Sequence, residues 1–137
     1  MEKYLFNDNK IVIASHNKGK VKEIKVLLKP LKIEVLSAGD FNLKEPIEDG
    51  LSFEKNAQIK SSYVCKNTGI PSLSDDSGIC FSDLNYEPGV NSARWAGESK
   101  NFILAMSKIN DAIGKVDNPS YDCFFVCALS LSWPNGK

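Results

Sequence analysis

The sequence predicts an α/β domain, in which strands alternate with helices. Short apolar runs, typical of buried strands, alternate with segments whose apolar residues recur at helical spacing. The 137 residues are enough for one domain with a sizeable core. Because the chain shows no internal repeat, low-complexity segment or linker, we expect residues 1–137 to form a single domain.

The first half of the chain predicts two strands and a helix, then a longer helix. Residues 10–15 (KIVIAS) are a short apolar run, and residues 32–37 (KIEVLS) predict a second strand. Between them, residues 17–30 carry a helical apolar pattern that ends at a proline. A loop rich in turn residues then leads to a helix over residues 52–69. Its N-cap is Ser52 and its C-cap is Gly69.

The second half predicts a strand, a loop, a helix and a long strand, over residues 70–85, 86–99, 100–114 and 120–133. We expect the strand over residues 70–85 to break in its middle, because aspartate is disfavoured in strands and Asp75 and Asp76 precede Gly78. Pro-Asn-Gly at 134–136 predicts a hairpin turn. The chain stops one residue later, so we expect a C-terminally incomplete domain with an open strand edge.

Composition narrows the function classes. Hydrophobic residues make up 42% and charged residues 25%, an ordinary soluble balance. Seventeen basic residues match seventeen acidic ones, which argues against a nucleic-acid or membrane-surface binder. A small anionic ligand remains compatible, since a few local lysines can hold it. No apolar run reaches transmembrane length, and the N-terminus lacks the apolar stretch of a signal peptide.

The cysteine pattern predicts a reducing compartment. The four cysteines are Cys65, Cys80, Cys123 and Cys127, and none forms a C-x-x-C pair. Cys123 and Cys127 lie about 13 Å apart on an extended strand, too far for a disulfide or a shared metal. We therefore expect four reduced, mostly buried thiols in a cytoplasmic protein.

A polar loop, within ASHNKGKVKE, joins the first strand to the first helix. Helix N-termini offer free N–H groups and a positive dipole end, so they suit phosphate. Ser15 and Asn17 add donors, and Lys18 and Lys20 add charge. The alternative is an N-cap followed by a solvated basic face, which the pattern alone favours because this is no Walker loop. His16, the only histidine, more often packs or caps than acts as a base, which argues against covalent acyl chemistry.

An acidic pair stands inside SLSDDSGICF. On a regular strand Asp75 and Asp76 point to opposite faces, so both serve one site only if the chain turns, which Gly78 allows. Carboxylates grouped with the Ser77 hydroxyl suit Mg²⁺. The alternative is an Asx-turn at a hairpin; the flanking apolar residues favour the metal site.

A third motif, EPIEDGLSFEKNAQIKSS, could extend the same site. Glu48 and Asp49 precede the second helix and could supply a further carboxylate. Asn56 and Lys60 lie four apart, on one helix face. A charged loop with a solvated face is the alternative, and it would be preferred if this motif stood alone.

Together these motifs resemble one family. ASHNKGKVKEI, EDGLSFEKNAQIK, SLSDDSGI and EPGVNSARWAG occur in the order and spacing of the inosine triphosphate pyrophosphatases, or XTP/dITP diphosphatases. The resemblance runs from about Lys10 to the chain end. It implies hydrolysis of ITP, dITP and XTP to the monophosphate and pyrophosphate, cleansing the nucleotide pool. It also implies Mg²⁺, a homodimer, and an elongated twisted mixed β-sheet with a cleft between two lobes.

The resemblance also implies individual roles. Asp76 matches the catalytic base and a metal ligand, Asp75 supports it, and Glu48 matches another metal ligand. The implied substrate contacts are Ser15, His16, Asn17, Lys18, Gly19, Lys20, Asn56, Lys60 and Ser77. The cation would offset the repulsion between carboxylates and stabilise developing phosphoryl charge, which explains the acidic pair.

Two departures from the family pattern stand out. The family helix usually reads Phe-x-Glu-Asn-Ala, but Lys55 replaces the acid here. That change either removes a capping box with Ser52, worth about 1 kcal/mol or less, or weakens Mg²⁺ binding. The family's base-reading segments, Phe-Gly-Tyr-Asp-Pro and Ser-His-Arg, do not occur in these residues.

These departures leave an alternative function open. The chain would then be a truncated, non-catalytic remnant that binds only phosphate ligands or a partner chain. The septum-formation-inhibitor type of nucleotide pyrophosphatase is another resemblance, but SDDSG and PGVNSAR fit it less well.

Overall fold

The computed structural model describes residues 5–136. Four strands form one mixed sheet in the order β2-β1-β3-β4. They are β1 (Lys10–Ile13), β2 (Glu34–Ser37), β3 (Ser72–Phe81) and β4 (Cys123–Ser132). β1 runs parallel to both β2 and β3, whereas β3 and β4 are antiparallel. With its flanking helices, this sheet confirms the predicted fold class.

Within residues 5–136, four α-helices accompany the sheet: α1 (Lys18–Leu28), α2 (Phe53–Thr68), α3 (Ser92–Trp95) and α4 (Phe102–Ile113). The predicted caps of α2 are confirmed. Ser52 Oγ accepts the Lys55 N–H at 3.1 Å, and Gly69 ends the helix with a φ of 68°. Asn17 caps α1 in the same way, accepting the Lys20 N–H at 3.1 Å. α3 lies inside a predicted loop, because a single helical turn leaves no periodic apolar pattern.

β3 is continuous, so the predicted break at the acidic pair is wrong. All ten of its residues pair with β4, from Ser72 with Ser132 to Phe81 with Cys123. Gly78 serves packing instead of a turn. A Cβ there would collide with the carbonyl oxygen of Gly89 and lie 2.6 Å from Ser92 Oγ, so only glycine lets the segment before α3 approach the strand.

The core lies around β1. Val12 and Ala14 are buried against Ala38 and Val64, and partly buried apolar side chains surround them (Leu36, Leu43, Tyr63 and Ile70). This packing fixes the carboxyl end of β1, from which the polar loop before α1 leaves. In residues 5–136 no helix is long and apolar enough to cross a membrane.

The thiols divide into two pairs. Cys65 and Cys80 are buried, and that burial raises the pKa of both thiols. Cys123 and Cys127 are exposed, so the prediction of mostly buried thiols is wrong for them. The reason lies in β4, whose serines face α2: Ser132 Oγ lies 2.7 Å from Ser61 Oγ. Odd-numbered residues of β4 point the other way.

Candidate active site

A cavity of about 530 Å³ lies beyond the carboxyl end of β1. β1 pairs with β3 only at Val12 with Ser72 and Ile13 with Leu73, after which β3 runs on. β2 and β3 flank β1 on its two sides, so the chain reverses its winding direction there. In α/β sheets, ligands bind outside the carboxyl ends of strands at such a switch point.

The cavity gathers residues from all three predicted motifs: Ser15, His16, Asn17, Lys20, Glu48, Lys60, Asp75, Asp76 and Ser77. Lys18 lines a neighbouring groove on α1, and Gly19 and Asn56 line neither. Sequence reasoning missed Arg94 and Lys100, which also line the cavity. Arg94 lies within the segment EPGVNSARWAG, which the sequence singled out without predicting a role for this residue.

Asp75 binds one of the two lysines that hold the acidic pair. It is 7% exposed, and its Oδ2 accepts from Lys20 Nζ at 2.8 Å and from Ser77 Oγ at 2.9 Å. Lys20 comes from the first turn of α1. Asp75 therefore holds the Lys20 cation at the cavity wall.

Asp76 faces the opposite side of β3, toward α2. On this face Ser74 Oγ donates to the Ala57 carbonyl oxygen of α2. Lys60 Nζ lies 3.5 Å from Asp76 Oδ1 and 3.3 Å from Glu48 Oε1, so it bridges the two carboxylates. The acidic pair thus reaches one cavity without a turn, because β1 ends before it and leaves that edge of β3 open to side chains from both faces.

Asp76 is electrostatically unusual. Burial raises the pKa of this carboxyl above its ordinary value, the Lys60 cation opposes that rise, and Glu48 adds to it. Its Oδ2 atom is buried and accepts no hydrogen bond from residues 5–136. A buried carboxylate oxygen without a donor is costly, and a bound cation would satisfy it.

The donor set around Asp76 fits Mg²⁺. Asp76 and Glu48 both offer carboxylate oxygens beside the cavity, and Mg²⁺ prefers such ligands. Among residues 5–136, no three histidine, cysteine or acidic side chains lie close enough to form a metal cluster. Mg²⁺ needs only one or two carboxylates where substrate phosphates complete its shell. A metal role for Asp75 stays a prediction.

The polar loop before α1 holds itself together. Ser15 Oγ accepts the Asn17 N–H at 3.1 Å, and Asn17 caps the helix. His16 Nε2 donates to the Leu43 carbonyl oxygen at 2.6 Å, and its Nδ1 lies 3.5 Å from Glu45 Oε1. His16 thereby ties this loop to the segment before α2. Its role as a substrate contact stays a prediction.

Asn56 does not line the cavity but lies beside Asp76, where burial raises the pKa of that carboxyl and hydrogen bonding from the Asn56 side chain opposes the rise. It is 2% exposed, and its Oδ1 accepts the Gly50 N–H at 2.8 Å. A phosphate contact for Asn56 therefore also stays a prediction.

Comparison with known proteins gives one consistent result. The Ham1 family model matches residues 11–137. The chain is 48% identical over 128 residues to a dITP/XTP pyrophosphatase of Zymomonas mobilis, covering 93% of this chain and 61% of the relative. It is 44% identical over 137 residues to a dITP/XTP pyrophosphatase of Gluconobacter oxydans, covering 100% and 65%.

Two solved structures are also similar. A HAM1 protein from Coxiella burnetii matches with a TM-score of 0.87 and 34% identity. The Staphylococcus aureus Ham1 protein matches with a TM-score of 0.81 and 35% identity. Each alignment covers 93% of this chain and 65% of the solved chain. The chain therefore spans less than two thirds of the length of these relatives.

Proposed function

Because the chain belongs to the Ham1 family, we propose that it hydrolyses non-standard purine nucleoside triphosphates to the monophosphate and pyrophosphate. ITP, dITP and XTP are the expected substrates. The first two relatives are named dITP/XTP pyrophosphatases, which supports this choice. The proposal extends their activity to a chain that covers 61% and 65% of their lengths.

The proposal depends on one observation. A single cavity joins four cationic side chains to a carboxylate oxygen of Asp76 that accepts no hydrogen bond from residues 5–136: Lys20 from α1, Lys60 from α2, Arg94 from α3 and Lys100. Lysine and arginine bind phosphate oxygens through charge-assisted hydrogen bonds. The first turn of α1 opens onto the same cavity and adds N–H groups.

Each residue has a role in this reaction. Asp76 takes the proton of the attacking water, as the family base position that it matches implies. Lys20 and Lys60 hold the phosphates. Glu48 and Asp76 would hold Mg²⁺, which supplies positive charge against the phosphate oxygens when bound.

The remaining properties are inferred from the resemblance, for the homodimer, and from the cysteine pattern and composition, for the rest. We propose that the protein works in the cytoplasm as a homodimer and binds neither nucleic acid nor membranes. Its zero formal net charge supports the last two points.

Pyrophosphate release from ITP and from ATP, with Mg²⁺ and with EDTA, tests the proposal. We expect release from ITP in Mg²⁺, slower release from ATP, and none in EDTA. If neither nucleotide is hydrolysed, calorimetry with ITP, GTP and inorganic triphosphate follows. Equal binding of all three without turnover would favour the alternative of a non-catalytic phosphate binder.

Lys20→Ala is expected to raise KM for ITP about tenfold or more, because hydrogen bonds to charged groups are worth about 1.5–3 kcal/mol. Lys22→Ala is the matched control, since it removes the same charge from α1 but lies outside this cavity. Steady-state kinetics of both variants measures the difference. Equal KM values for the two would remove Lys20 from substrate binding.

A further inference from the structure

We propose that Arg94 and Asn56 are positioning residues that clamp residues 48–50 from two sides and hold the Glu48 carboxylate at the cation site. The inference deepens the proposed function and depends on it. Glu48 lies outside any helix or strand, between a 3-10 helix (Ala38–Phe41) and α2. Its carboxylate bonds only to Lys60 among residues 5–136, so its direction depends on how the main chain is held.

Asn56 forms the inner side of the clamp. It comes from the first turn of α2 and is almost fully buried, with Oδ1 on the Gly50 N–H. The approach is close: a Cβ on Gly50 would lie 2.5 Å from Asn56 Oδ1 and 2.9 Å from Lys55 Cγ. Glycine at position 50 is therefore required for the loop to reach this side chain.

Arg94 forms the outer side. One guanidinium nitrogen donates to the main-chain carbonyl oxygen of Glu48 at 2.8 Å, and the other donates to Asn91 Oδ1 at 2.8 Å. The contact is to the backbone of Glu48 and not to its carboxylate. Arg94 therefore fixes the loop without competing for the oxygens that a cation would need.

The outer side is itself anchored to the sheet. Ser92, two residues before Arg94, accepts the Ile79 N–H of β3 at 3.0 Å and donates to the Gly89 carbonyl oxygen at 2.6 Å. A continuous set of contacts thus runs from β3, which carries Asp76, through α3 to Glu48. The two cation ligands are positioned relative to each other through this route.

Such supporting contacts have a measurable size. Loss of the groups that orient a metal ligand typically weakens metal affinity by 10–100-fold. We therefore expect Arg94→Gln to weaken Mn²⁺ binding about tenfold, with Mn²⁺ alone titrated in the absence of nucleotide and followed by electron paramagnetic resonance. The substituted side chain is exposed, so the variant should fold.

Lys100→Gln is the matched control. Lys100 lines the same cavity and carries the same charge, but among residues 5–136 its side chain has no hydrogen bond to residues 48–50. Removing a cation from the cavity should by itself leave Mn²⁺ affinity unchanged or slightly stronger. Equal weakening by both substitutions would overturn the positioning role.

Amide exchange gives a readout that needs no metal. In Arg94→Gln and in Asn56→Ala, the Gly50 amide should lose protection relative to the wild type, as measured by hydrogen exchange. Arg94→Lys should restore part of the Mn²⁺ affinity and part of the Gly50 protection. A lysine can still donate to the Glu48 carbonyl oxygen or to Asn91 Oδ1, but it cannot bind both as arginine does. If Asn56→Ala does not fold, the comparison of Arg94→Gln with Arg94→Lys still tests the clamp.

The outcomes separate the clamp from the proposed function. One outcome overturns the clamp alone: the wild type binds Mn²⁺, but Arg94→Gln changes neither the Mn²⁺ affinity nor the exchange of the Gly50 amide. Failure of the wild type to bind Mn²⁺ at millimolar concentration, both alone and with inorganic triphosphate present, overturns the cation site and the clamp with it. Weaker Mn²⁺ binding and faster Gly50 exchange in Arg94→Gln, without either in Lys100→Gln, support the clamp.

Discussion

Asp76→Asn is expected to lower pyrophosphate release by about 10²–10⁴-fold, the usual worth of a positioned acid–base group. Asparagine has nearly the same shape but accepts no proton and binds a cation weakly. The same substitution should raise the thermal midpoint of the cation-free protein at neutral pH. Loss of activity with a gain in stability is the pattern expected where a site keeps an unfavourable group for its function.

The stability gain follows from the direction of the pKa shift. Burial raises the pKa of Asp76 in the folded protein above the ordinary value of 3.8. The stabilising contribution of this carboxyl is present in full below that ordinary value, where it is protonated in both states. It is lost as the pH rises through the raised folded pKa, because the folded state must then bury a charge. Asparagine removes that cost.

Thermal unfolding in EDTA at pH 4 and at pH 7, combined with turnover in Mg²⁺, measures both effects. The stability difference between Asp76→Asn and wild type should be larger at pH 7 than at pH 4. Asp111→Asn, an exposed change on α4, controls for loss of one negative charge. Unchanged turnover in Asp76→Asn would exclude Asp76 from the mechanism, and a lower midpoint at pH 7 would contradict its electrostatic cost.

Local signals explain what the sequence could predict of the fold. The ends of α2 follow from Ser52 and Gly69, because caps act on backbone groups within one turn of themselves. The predicted break in β3 failed because partners distant in the chain override strand propensity. Lys20 lies 55 residues before Asp75, and β4 supplies a full ladder of pairs.

For the site, too, local signals were predictable from the sequence and contacts between distant residues were not. The motifs identified most of the cavity lining, since each motif is contiguous in sequence and its residues therefore reach the cavity together. Asn56 and Lys60 both act on Asp76, as their spacing on one helix face predicts, but the bond from the Gly50 N–H to Asn56 Oδ1 left no signal in the sequence. Arg94 meets Glu48 across 46 residues of sequence, so no local pattern could pair them.

Gly78→Ala is expected to destabilise the fold by about 1–3 kcal/mol, the usual cost of forcing a methyl group into a packed site. The added Cβ would meet the backbone carbonyl of Gly89, which cannot rotate away, and would lie 2.8 Å from Phe53 Cε1. Relief would require α3 to move away from β3. The Ser92 contacts to Gly89 and Ile79 would then stretch.

Urea unfolding of Gly78→Ala beside Gly39→Ala measures the effect. At Gly39 the nearest atom to an added Cβ is Ser37 Oγ at 3.7 Å, an ordinary contact, so this control should stay close to wild type. Equal stability of the two variants would show that the segment before α3 yields freely. In the molecules that remain folded, displacement of α3 also withdraws Arg94 from Glu48, so Gly78→Ala should weaken Mn²⁺ binding.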